Sequence, residues 1–315
     1  MTIRPALLAA LLATLAACSA TDHPAQPGEL GIARSSDAML AVAAEPGPIR
    51  FEKVLAADWA VDRSGLVNLD HPKARAAGLE DGSEPIEVYF YALHHPTEGH
   101  FLIDSGMERG FLDPASNERV GFLVRNAMGT DALQVRTTTA DWIAANGGRL
   151  DGVLLTHIHL EHIMGVPDVP AETPIFTGPG DVNASRFLHA FTRGTSDRLL
   201  SGRGPLLEWP FEPDPAGRFA GVLDVFGDGS LWALHVPGHT PGSTAFLVRS
   251  TEGPELVLGD ATHTAWGWQN GVEPGTYSLD GPLSAESLAN LLALAQAVPS
   301  ARVHPGHQSL DAPAN

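Results

Sequence analysis

Cysteine is nearly absent from this 315-residue chain: Cys18 is the only one, so no internal disulfide can form. Lysine stands at two positions, Lys53 and Lys73, and in all 19 Lys and Arg face 37 Asp and Glu, a formal charge of −18. A phosphate-binding surface needs clustered cations, so no nucleic-acid partner is expected. Beyond the first twenty positions no apolar run is long enough to span a bilayer. No Gly-x-Ser-x-Gly elbow occurs either, which removes one common route to a serine nucleophile. What remains is a chain that is 43% hydrophobic, enough for a sizeable core.

The N-terminus is where apolar residues concentrate. Met1–Ala17 carries Arg4 and then an almost unbroken Ala/Leu stretch, too short to cross a membrane, which is the pattern of a cleaved export signal. Leu15-Ala16-Ala17-Cys18 resembles the lipobox of bacterial lipoproteins. That resemblance implies a signal peptide over 1–17, lipidation of Cys18 and a membrane partner through that anchor. Ser19 after the Cys resembles an outer-membrane destination, so the expected location is exported and lipid-anchored, facing the periplasm. Removing Met1–Ala17 takes Arg4 and no acid, leaving 18 basic against 37 acidic side chains and a formal −19. From Thr21 to Pro48 the chain is rich in Ala, Pro, Gly, Ser and Asp without periodicity, so 18–48 is expected to be the lipidated Cys and a flexible tether. The catalytic domain is expected over 49–315.

Within that domain, Ile86–Leu93 and His100–Ile103 around Pro96–Gly99 predict a hairpin. Short apolar runs at 153–156, 174–177, 231–236, 244–248, 255–258 and 302–303 predict buried strands. Leu288, Leu291, Leu292 and Ala295 share a helical face after Ser284, and Thr139–Asn146 predicts a second helix. Strands mixed with helices imply an α/β fold.

The chemistry concentrates where strands end. His157 and His159 follow the run Val153–Thr156 and, two apart on extended backbone, point the same way. Glu161 and His162 add a carboxylate and a third imidazole, the N and O donors zinc accepts. Further candidates sit beside Gly and Pro: His239 in Pro237–Gly242, Asp260 in Leu258–Ala261, and His307 in His304–His307. His263 and His304 are placed as outer supports or pocket lining. Trp266 and Trp268 are expected to form an apolar wall beside the site.

The ordered set Thr-His-Ile-His-Leu-Glu-His, Pro-Gly-His-Thr, Gly-Asp, Pro-Gly-His resembles the metallo-β-lactamase superfamily, and the general layout is similar to acyl-homoserine lactonases. The resemblance implies a four-layer αβ/βα sandwich with two divalent ions, expected as zinc, between its sheets. His157, His159 and His239 would hold one ion, Glu161, His162 and His307 the other, and Asp260 would bridge them. Asp104, at a strand end, would orient a ligand His. Glu161 departs from the family, which usually has Asp there; the extra methylene could weaken, shift or remove the second ion.

The expected activity is a hydrolase using a metal-bridging hydroxide, since paired ions lower the pKa of water from roughly 15.7 to about 7. Asp260 would hold that hydroxide and pass its proton on, with Glu161 beside it. The expected substrate is a small carboxylic ester or lactone. A β-lactamase or thioesterase on the same ligands, and a metal-binding envelope lipoprotein without catalysis, are the alternatives. For an anionic substrate, Arg186, Arg193, Arg198 or Arg203 would have to supply the anchor.

Overall fold

A computed structural model describes residues 19–113, 117–185 and 189–310. Residues 1–17, expected as a signal peptide, Cys18 and Arg186 lie outside the described residues. Among the described residues, no helix is long and apolar enough to cross a membrane.

The first sheet is built from β1 (Ala25–Pro27), β3 (Arg50–Asp62), β4 (Ser83–His95), β5 (Gly99–Ile103), β6 (Gln134–Val135), β7 (Gly152–Leu154), β8 (Ile175–Thr177) and β9 (Leu206–Glu208). Its order is β1-β9-β8-β7-β5-β4-β3-β6. The second contains β2 (Ile32–Ala33), β10 (Gly221–Asp224), β11 (Leu231–His235), β12 (Thr244–Ser250), β13 (Gly253–Val257) and β14 (Arg302–His304), in the order β14-β13-β12-β11-β10-β2. The helices are α1 (Ser36–Leu40), α2 (Arg63–Leu66), α3 (Pro72–Ala76), α4 (Phe122–Met128), α5 (Thr139–Ala145), α6 (Leu160–Ile163), α7 (His189–Leu199), α8 (Ala265–Asn270) and α9 (Gly281–Ala297).

Strand periodicity divides the core into layers. Along β4, Tyr89, Tyr91 and Leu93 face the second sheet, whereas Val88, Phe90 and Ala92 face the helices. The inter-sheet layer is completed by Leu223, Leu231, Ala233, Phe246 and Val257. Outside the first sheet, Val124, Ile143, Leu160 and Ile163 cover it. Outside the second, Met39, Leu288, Leu291 and Leu294 do the same. The result is the expected helix-sheet-sheet-helix sandwich.

Two expectations change. The segment 19–48 is no tether: β1 pairs in parallel with β9, β2 pairs antiparallel with β10, and Ala20, Thr21, Met39 and Ala43 are buried. The folded body therefore already includes residues 19–48 rather than starting near residue 49. The α9 cap is Asp280, whose side chain accepts from Leu283 N at 3.0 Å, so Ser284 lies inside the helix rather than at its start.

Candidate metal centre

Each loop of the site leaves a strand. His157 and His159 follow β7, and α6 immediately adds Glu161 and His162. His239 lies between β11 and β12, Asp260 in the turn Gly259–Ala261 after β13, and His307 just beyond β14. The site thus draws on both sheets and sits where they meet. Glycine makes that approach possible: Gly259 has φ +52°, and a Cβ there would lie 2.8 Å from Thr156 Cβ. A Cβ on Gly306 would strike Asp260 Oδ1.

Two donor sets result, each with its atoms within 4.8 Å of one another: His157, His159, His239 and Asp260, and Glu161, His162, Asp260 and His307. Asp260 belongs to both. Around its Oδ2 stand the Nε2 atoms of His263 at 3.2 Å, His307 at 3.3 Å, His162 at 3.4 Å, His239 at 3.5 Å and His157 at 3.6 Å. Yet both Asp260 carboxylate oxygens and His162 Nε2 are buried without a hydrogen-bond partner. His239 Nε2 also faces His159 Nδ1 at 2.9 Å and His157 Nε2 at 3.2 Å. Converging lone pairs and an orphaned buried carboxylate are costly unless a cation joins them, so this donor set fits divalent metal.

The other ring nitrogens are tied outward, which fixes which atom faces the centre. Asp104 Oδ2 meets His162 Nδ1 at 2.9 Å and its Oδ1 accepts from Thr156 N at 2.8 Å. Among the described residues Asp104 is the non-glycine with positive φ, +59°. Holding it there costs on the order of 1 kcal/mol, a strain typical of functional sites. His307 Nδ1 meets Glu87 O at 3.0 Å, His239 Nδ1 meets Ser278 Oγ at 3.2 Å, and His263 Nδ1 meets Leu66 O at 3.1 Å.

Electrostatics separate the two sets. Burial, then the neighbouring His162, pushes His157 well below the ordinary imidazole value, and burial with His159 does the same to His239. Burial acts downward on His162 and His307 too, but Asp104 and Asp260 outweigh it at His162, and Asp260 at His307, so both are raised. Burial would raise Asp260, yet His307, His263 and His162 hold it well below the carboxylate range.

His263 therefore touches the shared carboxylate directly. His304 does not join the cluster: the Pro305-Gly306 turn separates it from His307, and its Nε2 pairs with Glu255 Oε2 at 2.9 Å. The two tryptophans part company. Trp268 is buried in the core outside the second sheet, so it is not a pocket wall. Trp266 lines a cleft of about 450 Å³ with Arg63, Val67, Leu79, Glu80 and Glu84. None of the candidate ligands lines that cleft, although Val67 and Thr264, which do, follow Leu66 and His263 in the chain. Of the arginines considered as anion anchors, Arg193 pairs with Asp22, Arg198 donates to Arg119 O, and Arg203 to Val169 O and Pro167 O.

Two supports escaped the sequence reading. Asp181 accepts from Gly242 N at 2.6 Å and braces the loop that carries His239. Burial pushes its carboxyl up to about 7. Its setting, Thr177-Gly-Pro-Gly-Asp181 after an apolar run, has the same strand-end signature as the ligands. Tyr277 lies with its ring 6.3 Å from His263, and burial, then Asp62 and Glu161, raises its phenol.

Residues 83–307 match the Metallo-beta-lactamase superfamily. The chain belongs to that superfamily. It is 30% identical over 202 residues to N-acyl homoserine lactonase AttM of Agrobacterium fabrum, covering 60% of this chain and 70% of the relative. It is also 30% identical over 142 residues to Gamma-lactamase MBL2 of Gibberella moniliformis, covering 42% and 59%. Among solved structures, an N-acyl homoserine lactone hydrolase with the product N-hexanoyl-L-homoserine at its catalytic metal centre superposes with TM-score 0.57 at 18% identity, covering 84% of this chain and 94% of that one. AidC, a dizinc quorum-quenching lactonase, superposes with TM-score 0.54 at 15% identity, covering 89% and 92%. This member of the superfamily is a metal-dependent hydrolase with a His/Asp metal-binding cluster.

Proposed function

We infer that the protein is an exported, lipid-anchored dizinc hydrolase that opens a carboxylic ester or lactone. The observation that carries the reading is one buried carboxylate, Asp260, shared by two donor sets. His157, His159 and His239 would hold one ion, and Glu161, His162 and His307 the other. When bound, the ions supply a Lewis acid for the carbonyl and an acidified water for the attack.

The chain's own residues do the rest. Asp260 fixes the spacing of the two sets and offers the nearest carboxylate to hold or relay a proton. Asp104 holds His162 with Nε2 inward, and Glu87 O does so for His307. Trp266 gives the cleft that Thr264 lines, one residue beyond His263, an apolar face, where each Å² of acyl chain removed from water is worth about 25 cal/mol. Arg193, Arg198 and Arg203 are engaged elsewhere, which supports a neutral substrate over an anionic one.

The test is a panel of a medium-chain lactone, a thioester, a γ-lactam and a chromogenic cephalosporin offered to the zinc-loaded protein, with metal content read by elemental analysis. The lactone is expected to have the highest kcat/KM at two metals per chain. A cephalosporin ahead by tenfold or more, about 1.4 kcal/mol of transition-state preference, would replace this reading with a β-lactamase. The anchor rests on Leu15-Ala16-Ala17-Cys18, and mass spectrometry of the mature N-terminus tests it.

A further inference from the structure

The large apolar side chains left in water are not scattered. Among the described residues they are Ile32, Leu112, Phe122, Leu123 and Phe191. Four of these five lie on two adjoining pieces, the excursion 109–128 and α7. Phe122 and Leu123, at the first turn of α4, are 69% and 72% exposed. Helix α4 packs against α7, and Arg198 Nε of α7 donates to Arg119 O at 2.7 Å.

The chain enters the fold along the same helix. Ser19, the residue after Cys18, forms a bridge with Ser185 just before α7. Thr21 Oγ1 and Asp22 N donate to Asp197 of α7 at 2.5 and 2.7 Å, and Arg193 pairs with Asp22. Ala20 and Thr21 are buried, so no slack separates residue 18 from the body.

Segments 109–128 and 189–199 carry Arg109, Arg119, Arg125, Arg193 and Arg198 against Asp113, Glu118 and Asp197, but Arg109, Arg119 and Arg193 pair with Asp141, Glu108 and Asp22, so the face is near neutral.

We propose that this face is a membrane-docking surface, with Leu112, Phe122, Leu123 and Phe191 seated in the headgroup layer of the bilayer that the Cys18 anchor reaches. The proposal rests on acylation of Cys18, which brings the residue before Ser19 to the bilayer. Exposed aromatic and aliphatic side chains at a shallow depth are the chemistry of interfacial binding, and a second attachment converts weak single-chain anchoring into a stable one. Helix α7 also packs on α6, the turn that carries Glu161 and His162, so docking holds the metal centre close to the lipid surface.

The experiment uses the full acylated chain in vesicles of phosphatidylethanolamine and phosphatidylglycerol. One preparation carries a fluorophore on Leu123→Cys and another on Glu252→Cys, a three-quarters exposed position between β12 and β13. Brominated acyl chains should quench the label at 123 at least twofold and leave that at 252 unchanged. With the label moved to Leu112→Cys, the combined variant Phe122→Ser, Leu123→Ser and Phe191→Ser should abolish quenching while turnover of a water-soluble ester is kept. Equal quenching at 123 and 252 overturns the proposal. So does a dimer in analytical ultracentrifugation that the triple variant dissociates, because the patch would then serve a second copy. Mass spectrometry reads acylation separately: an acylated chain with unquenched 123 removes docking alone, and an unmodified chain with quenched 123 removes the anchor alone.

Discussion

The two halves of the metal centre share Asp260 but differ in charge. In the first set, His157 and His239 are pushed well below the ordinary imidazole range, mainly by burial. Glu161, His162 and His307 include a carboxylate and two imidazoles whose buried positions are overruled by Asp104 and Asp260. His157 and His239 favour the neutral form that a cation needs, whereas His162 and His307 must shed protons to bind one. A site that looks symmetric in donor count is therefore asymmetric in how it loads.

Replacing the shared residue should erase the difference. Asp260→Asn is expected to drop bound metal below one per chain and to lower kcat/KM by about three orders of magnitude or more, as loss of a central catalytic group does. Retention of two metals in elemental analysis would show that Asp260 is not shared.

Asp104→Ala should sharpen the contrast instead. It frees His162 to turn and leaves Thr156 N without its acceptor, so the second set should weaken by about 10- to 100-fold while the first is kept. Competition with a zinc chelator reads the two affinities separately; equal weakening of both would break the comparison.

Acidity should act on the same half. Because His162 and His307 have raised values without metal, affinity at the second set is expected to fall as pH falls, with the two-metal stoichiometry giving way to one. The metal-free chain should behave oppositely on the alkaline side. A raised histidine contributes stability that is full below its unfolded value near 6.5 and is lost as pH rises through the folded one, so metal-free melting should decline above neutrality. Calorimetric zinc titrations and thermal melts at several pH values check both signs.

The smallest effect is expected from Glu161→Asp. The shorter carboxylate should keep activity within about threefold, while Glu161→Ala costs about tenfold or more by leaving the second set short of an oxygen donor. Identical activity and metal content in all three proteins would place Glu161 outside the centre.

The candidate ligands were legible in the sequence because His239, Asp260 and His307 stand at strand ends beside glycine or proline, and His157, His159, Glu161 and His162 crowd into six residues just after β7. The tryptophans misled for a geometric reason. Two residues apart on α8 they point to nearly opposite sides, so Trp266 reaches the cleft while Trp268 enters the core. Strand β3 was missed because a bulge between Leu55 and Ala57 breaks its alternation and charged residues stud its exposed face. The segment 19–48 was misread because its strands are two or three residues long and their partners lie far away in the chain, which leaves no local period to detect.

Those two short strands have a consequence for how the molecule is assembled. Ala25 pairs with Leu206 and Ile32 with Asp224, so the first residues of the body close one edge of each sheet. Emerging first from the ribosome or a translocation pore, they must wait for some 180 to 190 residues before their partners exist. Until then β1 and β2 have no partner, and an unpaired strand is a template for pairing with another chain. The N-terminal segment thus acts as a late clasp, and the slow step in maturation is expected to be its return to the two edges rather than the collapse of either sheet.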